Sequence, residues 1–421
     1  MATQEILAAL EDAIYRQPPF CTGTIPVSSR DTTLFYKQGE SASWLDLSQA
    51  TEDQLQALAD ACEPATFGLG QRDVLDETYR KAGKMDSDKF LTSLDVDKLG
   101  IVARVHVQLL EGDDVEKTVN AELYKLNVYE KDSFFKTHKD TPRGDTMFAS
   151  LVVAFPTPYE GGALVLRHND EEWTFDSAAL TREQAKPSIA YIAFFSDVDH
   201  EVAVVTSGHR VTLTYNLYLE DTPLREKLPA SIKPVAADDS VFHTALSKAL
   251  DDPSFLPNGG YLGFGLSFKY PIGLVEGRAA KHVLKGSDAM IFRVCQSLSV
   301  RPRLSAVYEV EELRVLVSAY YLVDNREYEE GIFQTLLWEF HGKIVLNFEE
   351  DIPLNPDTRT RLEREECIRM EWVTPLTTYS HFCSDYIAHG NEASAECIYA
   401  DLCISAEVGP FGRRHEKCPS E

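Results

Sequence analysis

His138-Lys139-Asp140 is followed about 60 residues later by His200, and ten positions further on by Arg210. Two imidazoles and one carboxylate can hold a redox metal from one side and leave its other side open. That donor set is the one used by non-haem Fe(II) oxygenases. A buried arginine just beyond it can hold a carboxylate co-substrate, because its planar fork forms two charge-assisted bonds at once. The chemistry these residues could share is therefore metal-assisted oxidation with an organic acid as co-substrate.

The elements around them must bring the four side chains together. His138 and Asp140 are two apart, and on a strand such residues share a face. Upstream, Leu123 to Tyr129 alternates as a strand does. Downstream, Met147 to Phe155 is a nearly continuous apolar strand. Glu160-Gly161-Gly162 reads as a turn before the strand Ala163 to Leu166. Ser188 to Phe195 is a further buried strand and delivers the chain to Asp197-Val198-Asp199-His200-Glu201-Val202. After a turn at Ser207-Gly208, the strand His209 to Leu217 puts Arg210, Thr212 and Thr214 on one face and Val211, Leu213 and Tyr215 on the other. Short strands joined by turns, with little helix between them, imply an antiparallel sandwich or barrel.

Plainer readings apply to the neighbours. Asp197 and Asp199 read as solvated loop residues, His209 as structural, and His168 as a surface turn residue. Phe134, Phe135, Phe148, Phe194 and Phe195 could limit water near a reactive centre, but core packing explains them as well. The His-x-Asp dipeptide alone is weak among eleven histidines. The full string, with a distal His on a second strand end and an Arg across a tight turn, is far more specific.

The region from about Glu122 to Leu219 resembles the 2-oxoglutarate- and Fe(II)-dependent dioxygenases of the prolyl 4-hydroxylase type. The matching elements are Tyr129, His138-x-Asp140, Glu160-Gly161-Gly162-Ala163-Leu164, Phe194 to Ser196, His200-Glu201-Val202 and Ser207-Gly208-His209-Arg210. The string HKDTPRGDTMFASLVVAFPTPYEGGALVLRHND is similar to fungal proteins of that superfamily. The resemblance implies a mainly β fold with flanking helices (α+β), built on a double-stranded β-helix, or jelly roll. It implies Fe(II) held by His138, Asp140 and His200, with Arg210 paired to the distal carboxylate of 2-oxoglutarate. Tyr129 and Thr212 would line the same co-substrate. O2 would be the oxidant, ascorbate a supporting reductant, and succinate and CO2 the by-products of hydroxylating a C–H bond. Asp140 argues against halogenation, since related halogenases lack that carboxylate. A prolyl residue of a protein or peptide is the first substrate implied, and a free amino acid or secondary metabolite is the alternative.

The chain has 421 residues, 44% hydrophobic and 26% charged, which is globular composition. Its formal charge of −26 argues against nucleic acid and anionic membranes, both of which need a basic surface. The N-terminus starts an amphipathic helix with no basic or apolar signal region, and no run approaches 18 apolar residues. Cys21, Cys62, Cys295, Cys367, Cys383, Cys397, Cys403 and Cys418 are dispersed and read as reduced thiols. The cytoplasm is the expected compartment, with the nucleus also open. The sequence leaves the oligomeric state open.

Residues 1–220 are expected to form the dioxygenase domain, with a motif core at about 116–220. Strands are expected at Gly23–Val27 and Thr32–Tyr36. Helices are expected at Glu52–Cys62 with Thr51 as its cap, at Val74–Ala82, and near Val96–Leu110. Residues 221–234 read as a linker with a short helix. Residues 221–421 are expected to form a non-catalytic β-rich lobe, a degenerate second jelly roll being one form it could take. Its strands would include Gly260–Leu266, Arg314–Tyr321 and Lys343–Phe348, with a helix at Ser287–Leu298. Acidic clusters at Glu309–Glu312 and Glu327–Glu330 read as solvated loops, and Tyr386–Tyr399 as a segment returning to the active-site mouth. Two other function classes stay open: a jelly-roll binding or scaffold protein with a vestigial metal site, and a cupin-like metalloenzyme that needs no 2-oxoglutarate and hence no Arg210.

Overall fold

The computed structural model describes residues 3–69, 72–110, 117–140, 143, 146–223, 239–270, 284–310, 313–318, 332–346, 367–377, 381–383 and 399–416. The fold is mainly β with flanking helices. It divides into two compact units, Pro18–Val235 and Met1–Gln17 with Ala236–Glu421. The first seventeen residues, expected in the N-terminal domain, thus cluster with the C-terminal half. The reason is the apolar face of the helix Thr3–Asp12. It buries Ile6, Leu7 and Leu10 against the strand Cys367–Thr374 and the helix Asp239–Leu250.

The unit Pro18–Val235 is a double-stranded β-helix. Its larger sheet runs Phe20–Pro26, Ser188–Phe195, Met147–Ala154, Arg210–Pro223, Lys117–Tyr129, Gly83–Asp86, Glu63–Pro64. The smaller runs Glu171–Phe175, Leu164–His168, Asp199–Val202, Phe134–His138, Arg80–Lys81. Every pairing in both is antiparallel. Ser188–Phe195 is buried at every position. Such a run cannot alternate, because both faces of the strand are covered. One covering element is the helix Ile101–Leu109, which packs on Phe20–Pro26, Lys117–Tyr129 and Ser188–Phe195. The helix Glu52–Asp60 starts where Thr51 was expected to cap it, with a reciprocal capping box to Gln54. The helix expected at Val74–Ala82 does not form. Asp76 closes a single turn, its side chain accepting from the Thr78 backbone and hydroxyl, and Arg80–Lys81 then pairs as a strand with Phe134 and Phe135.

In the other unit, the strands Gly260–Gly265, Cys367–Thr374, Lys343–Leu346, Leu313–Val317, Arg301–Val310 and Tyr399–Val408 pair in that order, and Tyr399–Val408 pairs back to Gly260–Gly265. Two junctions are parallel and the remaining four antiparallel. The described strands thus close one ring, unlike the two facing sheets of a second jelly roll. They contribute Tyr261, Val307, Leu316, Val345, Ile368, Met370 and Cys403 to one apolar cluster. The expected helix near Ser287 spans Gly286–Ser297. Residues 224–234 of the expected linker, the cluster Glu327–Glu330, and nearly all of Tyr386–Tyr399 lie outside the described residues. Among those residues no helix is long and apolar enough to cross a membrane, and Cys21, Cys62, Cys295 and Cys403 are free thiols.

Candidate active site

His138 ends the strand Phe134–His138, and His200 lies in Asp199–Val202. The two are directly opposed across the antiparallel pair, beyond a register shift that follows Phe135. Opposed residues bring their side chains close together, and the imidazole centroids are 4.2 Å apart. Asp140 lies past the strand end, not two positions along a continuous strand as its spacing suggested. Its carboxylate is held by the buried Ser150 of the neighbouring sheet, whose hydroxyl donates to Oδ2. Asp140 Oδ1 is 3.7 Å from His200 Nε2. One donor atom from each of His138, Asp140 and His200 falls within 4.8 Å of the others.

The backbone sets the tautomers. His138 Nδ1 is 2.8 Å from the Lys136 carbonyl, and His200 Nδ1 is 3.0 Å from that of Val198. A carbonyl only accepts, so each Nδ1 carries a proton and Nε2 is the nitrogen turned toward the neighbouring donors. This is the outer-shell arrangement that fixes a metal-binding imidazole. Burial first, and then the neighbouring His200, hold His138 well below the ordinary imidazole pKa, so its lone pair is free at neutral pH. Phe135 stacks on His138 at 3.5 Å between centroids, and Phe194 lies 4.6 Å from His200.

Arg210 opens the strand Arg210–Pro223 and is 1% exposed. Its Nε and Nη2 are buried with no hydrogen-bond partner. A buried unsatisfied guanidinium is costly, and an acceptor in the cavity would relieve that cost. Space for it comes from Gly162, whose φ is +66° and where a Cβ would sit 3.0 Å from Arg210 Cδ. Tyr129 is the cross-strand partner of Arg210, with the guanidinium 5.4 Å from its ring centroid. Thr212, also 1% exposed, shares the face of Arg210. Side chains from both sheets, including His138, Asp140, His200, Arg210, Tyr129 and Thr212, line one cavity of about 790 Å³.

Other expectations need correction. His168 is buried, not a surface residue; the turn falls one position later, where Asn169 and Asp170 both have positive φ as a tight hairpin turn requires. Asp197 is buried as well, and Asp199 pairs with Lys139 at 3.3 Å instead of standing free in solvent. His209 is buried with Nδ1 3.2 Å from Glu52 and Nε2 3.8 Å from Glu130, outside the cavity wall.

Sequence reasoning missed Arg80. Its Nη1 donates to the Thr66 carbonyl at 2.7 Å and its Nη2 to Asn127 Oδ1 at 2.9 Å. Asn127 in turn donates to Thr214 at 3.2 Å. The Arg80 guanidinium lies 4.3 Å from the centroid of Phe135, the ring that stacks on His138. Asn127 and Thr214 could have been found from strand alternation, two positions from Tyr129 and four from Arg210. Arg80 carried no such signal, because its segment has helical composition.

Residues 124–218 match the family model described as 2OG-Fe(II) oxygenase superfamily. That family implies Fe(II), 2-oxoglutarate and O2. No curated protein sequence matches the chain. Among solved structures, a prolyl-4-hydroxylase of Pseudomonas putida is similar at 16% identity and a TM-score of 0.30, over 51% of this chain and 99% of that one. A prolyl hydroxylase of Trichoplax adhaerens, solved with a hypoxia inducible factor oxygen degradation domain peptide fragment, is similar at 14% identity and a TM-score of 0.31, over 51% and 90%. An oxidoreductase of the 2OG-Fe(II) oxygenase family from Burkholderia pseudomallei has 14% identity and a TM-score of 0.26, over 54% and 95%.

Proposed function

We propose that this protein is a 2-oxoglutarate- and Fe(II)-dependent dioxygenase that hydroxylates a C–H bond. In this reading His138, Asp140 and His200 are the metal ligands, Arg210 anchors the distal carboxylate of 2-oxoglutarate, and Tyr129 and Thr212 flank it. One observation carries it: a His-Asp-His donor set within 4.8 Å shares a cavity with a buried arginine whose Nε and Nη2 have no partner. The residues fit both groups. Two imidazole Nε2 atoms and one carboxylate suit a divalent non-haem iron, and a carboxylate would satisfy the orphaned guanidinium nitrogens.

Iron with 2-oxoglutarate and O2 supplies the C–H oxidation that side chains cannot perform, with succinate and CO2 as by-products. The chain's own residues bind and orient. The carbonyls of Lys136 and Val198 fix the imidazole planes, Ser150 fixes Asp140, and Phe135 and Phe194 exclude water from the imidazoles. Ascorbate would serve as a supporting reductant.

The substrate follows from sequence resemblance alone, which favours a prolyl residue of a protein or peptide, with a small amino acid or metabolite as the alternative. For the C-terminal half the proposal is a non-catalytic role, resting on its sequence, which has no second His-x-Asp…His…Arg string.

The test is an anaerobic titration of the apo-protein with Fe(II) and then 2-oxoglutarate, followed by visible absorption. A weak charge-transfer band that is lost in Arg210→Ala is expected. Iron binding without that band favours a cupin-like enzyme, and no iron binding favours a scaffold.

A further inference from the structure

Basic residues outnumber acidic ones in the cavity wall by five (Arg80, Lys125, Lys139, Arg143, Arg210) to three (Asp73, Asp76, Asp140). In the chain as a whole the acids lead by 67 to 41. Three of the five cations have evident work. Arg210 faces the proposed co-substrate, Arg80 is bonded to Thr66 and Asn127, and Lys139 is paired with Asp199. Lys125 and Arg143 remain, and both converge on Tyr124.

Their convergence is built into the sheet. The pairing of Lys117–Tyr129 with Arg210–Pro223 slips between Leu123 and Lys125, leaving Tyr124 as an extra residue. A bulge of this kind breaks the alternation of faces and re-aims a side chain. As a result the consecutive residues Tyr124 and Lys125 both line the cavity. Lys125 Nζ is 4.4 Å and the Arg143 guanidinium 4.3 Å from the Tyr124 ring centroid, and Arg143 also donates to the Tyr124 hydroxyl. The Lys125 side chain is only 15% exposed, and its nearest carboxylate, Asp86 at 4.0 Å, is held closer by Lys84 at 3.2 Å. Among the described residues no carboxylate pairs with Arg143. Two cations beside one ring repel each other unless an anion joins them.

This cluster is separate from the co-substrate anchor. Lys125 is opposite Thr214, whereas Tyr129 is opposite Arg210; four residues of strand place Lys125 roughly 13 Å along from Tyr129. Arg210 is buried, while Arg143 is exposed and follows Asp140 by three positions.

We infer that Lys125, Tyr124 and Arg143 form an oxyanion subsite, for a carboxylate or phosphoryl group carried by the substrate. Its use by a substrate rests on the oxygenase reading; the subsite itself does not.

The probes are inorganic phosphate, followed by 31P line width, and acetate, followed by saturation transfer, on the full chain with and without 2-oxoglutarate. The variants are Lys125→Gln, Arg143→Gln and Arg210→Gln, each first checked for an unchanged melting temperature. Saturable binding of at least one anion is expected, unaffected by 2-oxoglutarate and by Arg210→Gln. Lys125→Gln and Arg143→Gln should each weaken it roughly tenfold, the loss of a charge-assisted hydrogen bond. The anion that binds tells carboxylate from phosphoryl. Saturable binding of neither anion, wild-type binding in both subsite variants, or binding lost on adding 2-oxoglutarate would overturn the inference. The Fe(II)/2-oxoglutarate band should survive Lys125→Gln and Arg143→Gln, so a failed oxygenase reading and a failed subsite give different results.

Discussion

Arg210 and Asp288 are both charged and both essentially inaccessible to solvent, at 1% and 0% exposure. They differ in what surrounds the charge. Asp288 accepts from the backbone nitrogens of Ser267 and Phe268 and from the Tyr270 hydroxyl, and it lies in the first turn of Gly286–Ser297, where the helix dipole favours an anion. Arg210 keeps two buried nitrogens with no partner. The first charge is neutralised by its own fold and pins a loop to a helix. The second makes sense only with something added. Burial alone therefore does not set Arg210 apart; what does is unsatisfied nitrogens in the same cavity as the His-Asp-His donor set.

The comparison can be broken in order of expected effect. Removing any one of His138, Asp140 or His200 as alanine should abolish Fe(II) binding and 2-oxoglutarate turnover. Normal turnover in His200→Ala would mean that the distal ligand is misassigned. Arg210→Met should weaken 2-oxoglutarate binding by about 2–5 kcal/mol and leave metal binding intact. The same change should leave the apo-protein as stable as before, or more stable by about 1–4 kcal/mol, because an uncompensated buried charge is replaced by an apolar side chain. Asp288→Ala should do the reverse. It strands three donors and should destabilise by about 1–3 kcal/mol, measured by urea unfolding, without altering the charge-transfer band. If both variants move stability in the same direction, the contrast between the two charges fails. The smallest effect is expected at Arg80. Arg80→Leu loses the stack on Phe135 and the bond to Asn127, and should lower Fe(II) affinity only about 2–5-fold, matching the roughly 0.5–1 kcal/mol of one cation–π contact. Unchanged iron affinity there would reduce Arg80 to a packing role.

Much of this was readable in the chain. His138, Asp140, His200 and Arg210 were found by type and spacing, and Thr212 by period-two alternation on the Arg210 strand. All but Asp140, which lies past a strand end, sit on strands whose local geometry the sequence carries. What could not be read depends on register. Val74 to Ala82 has residues that suit a helix, yet the Asp76 turn and pairing with Phe134 and Phe135 override that preference, and this segment delivers Arg80. Tyr124 and Lys125 look like opposite faces until the bulge turns both inward. His168 looked like part of a turn because its successors are Asn169 and Asp170, but only those two take the left-handed backbone. The ring in the C-terminal unit was invisible for the same reason. Three of its strands, Gly260–Gly265, Leu313–Val317 and Lys343–Leu346, are legible one by one, whereas Arg301–Val310 and Cys367–Thr374 are not, and the return of Tyr399–Val408 to Gly260–Gly265 is a contact across more than a hundred residues.

That closure also bears on how the chain avoids itself. Each of the six strands in the ring has a neighbour on both sides over part of its length, which shortens the row of free amides and carbonyls that another molecule could extend. Open sheets guard such edges with charges, prolines or short strands, and left unguarded they seed fibrils and swapped dimers. Within the ring, protection from templated aggregation is a property of topology, and substitutions at the surface of its doubly paired positions should be tolerated without inviting intermolecular sheet growth; the short strand His381–Cys383, paired on one side only, stands outside that protection.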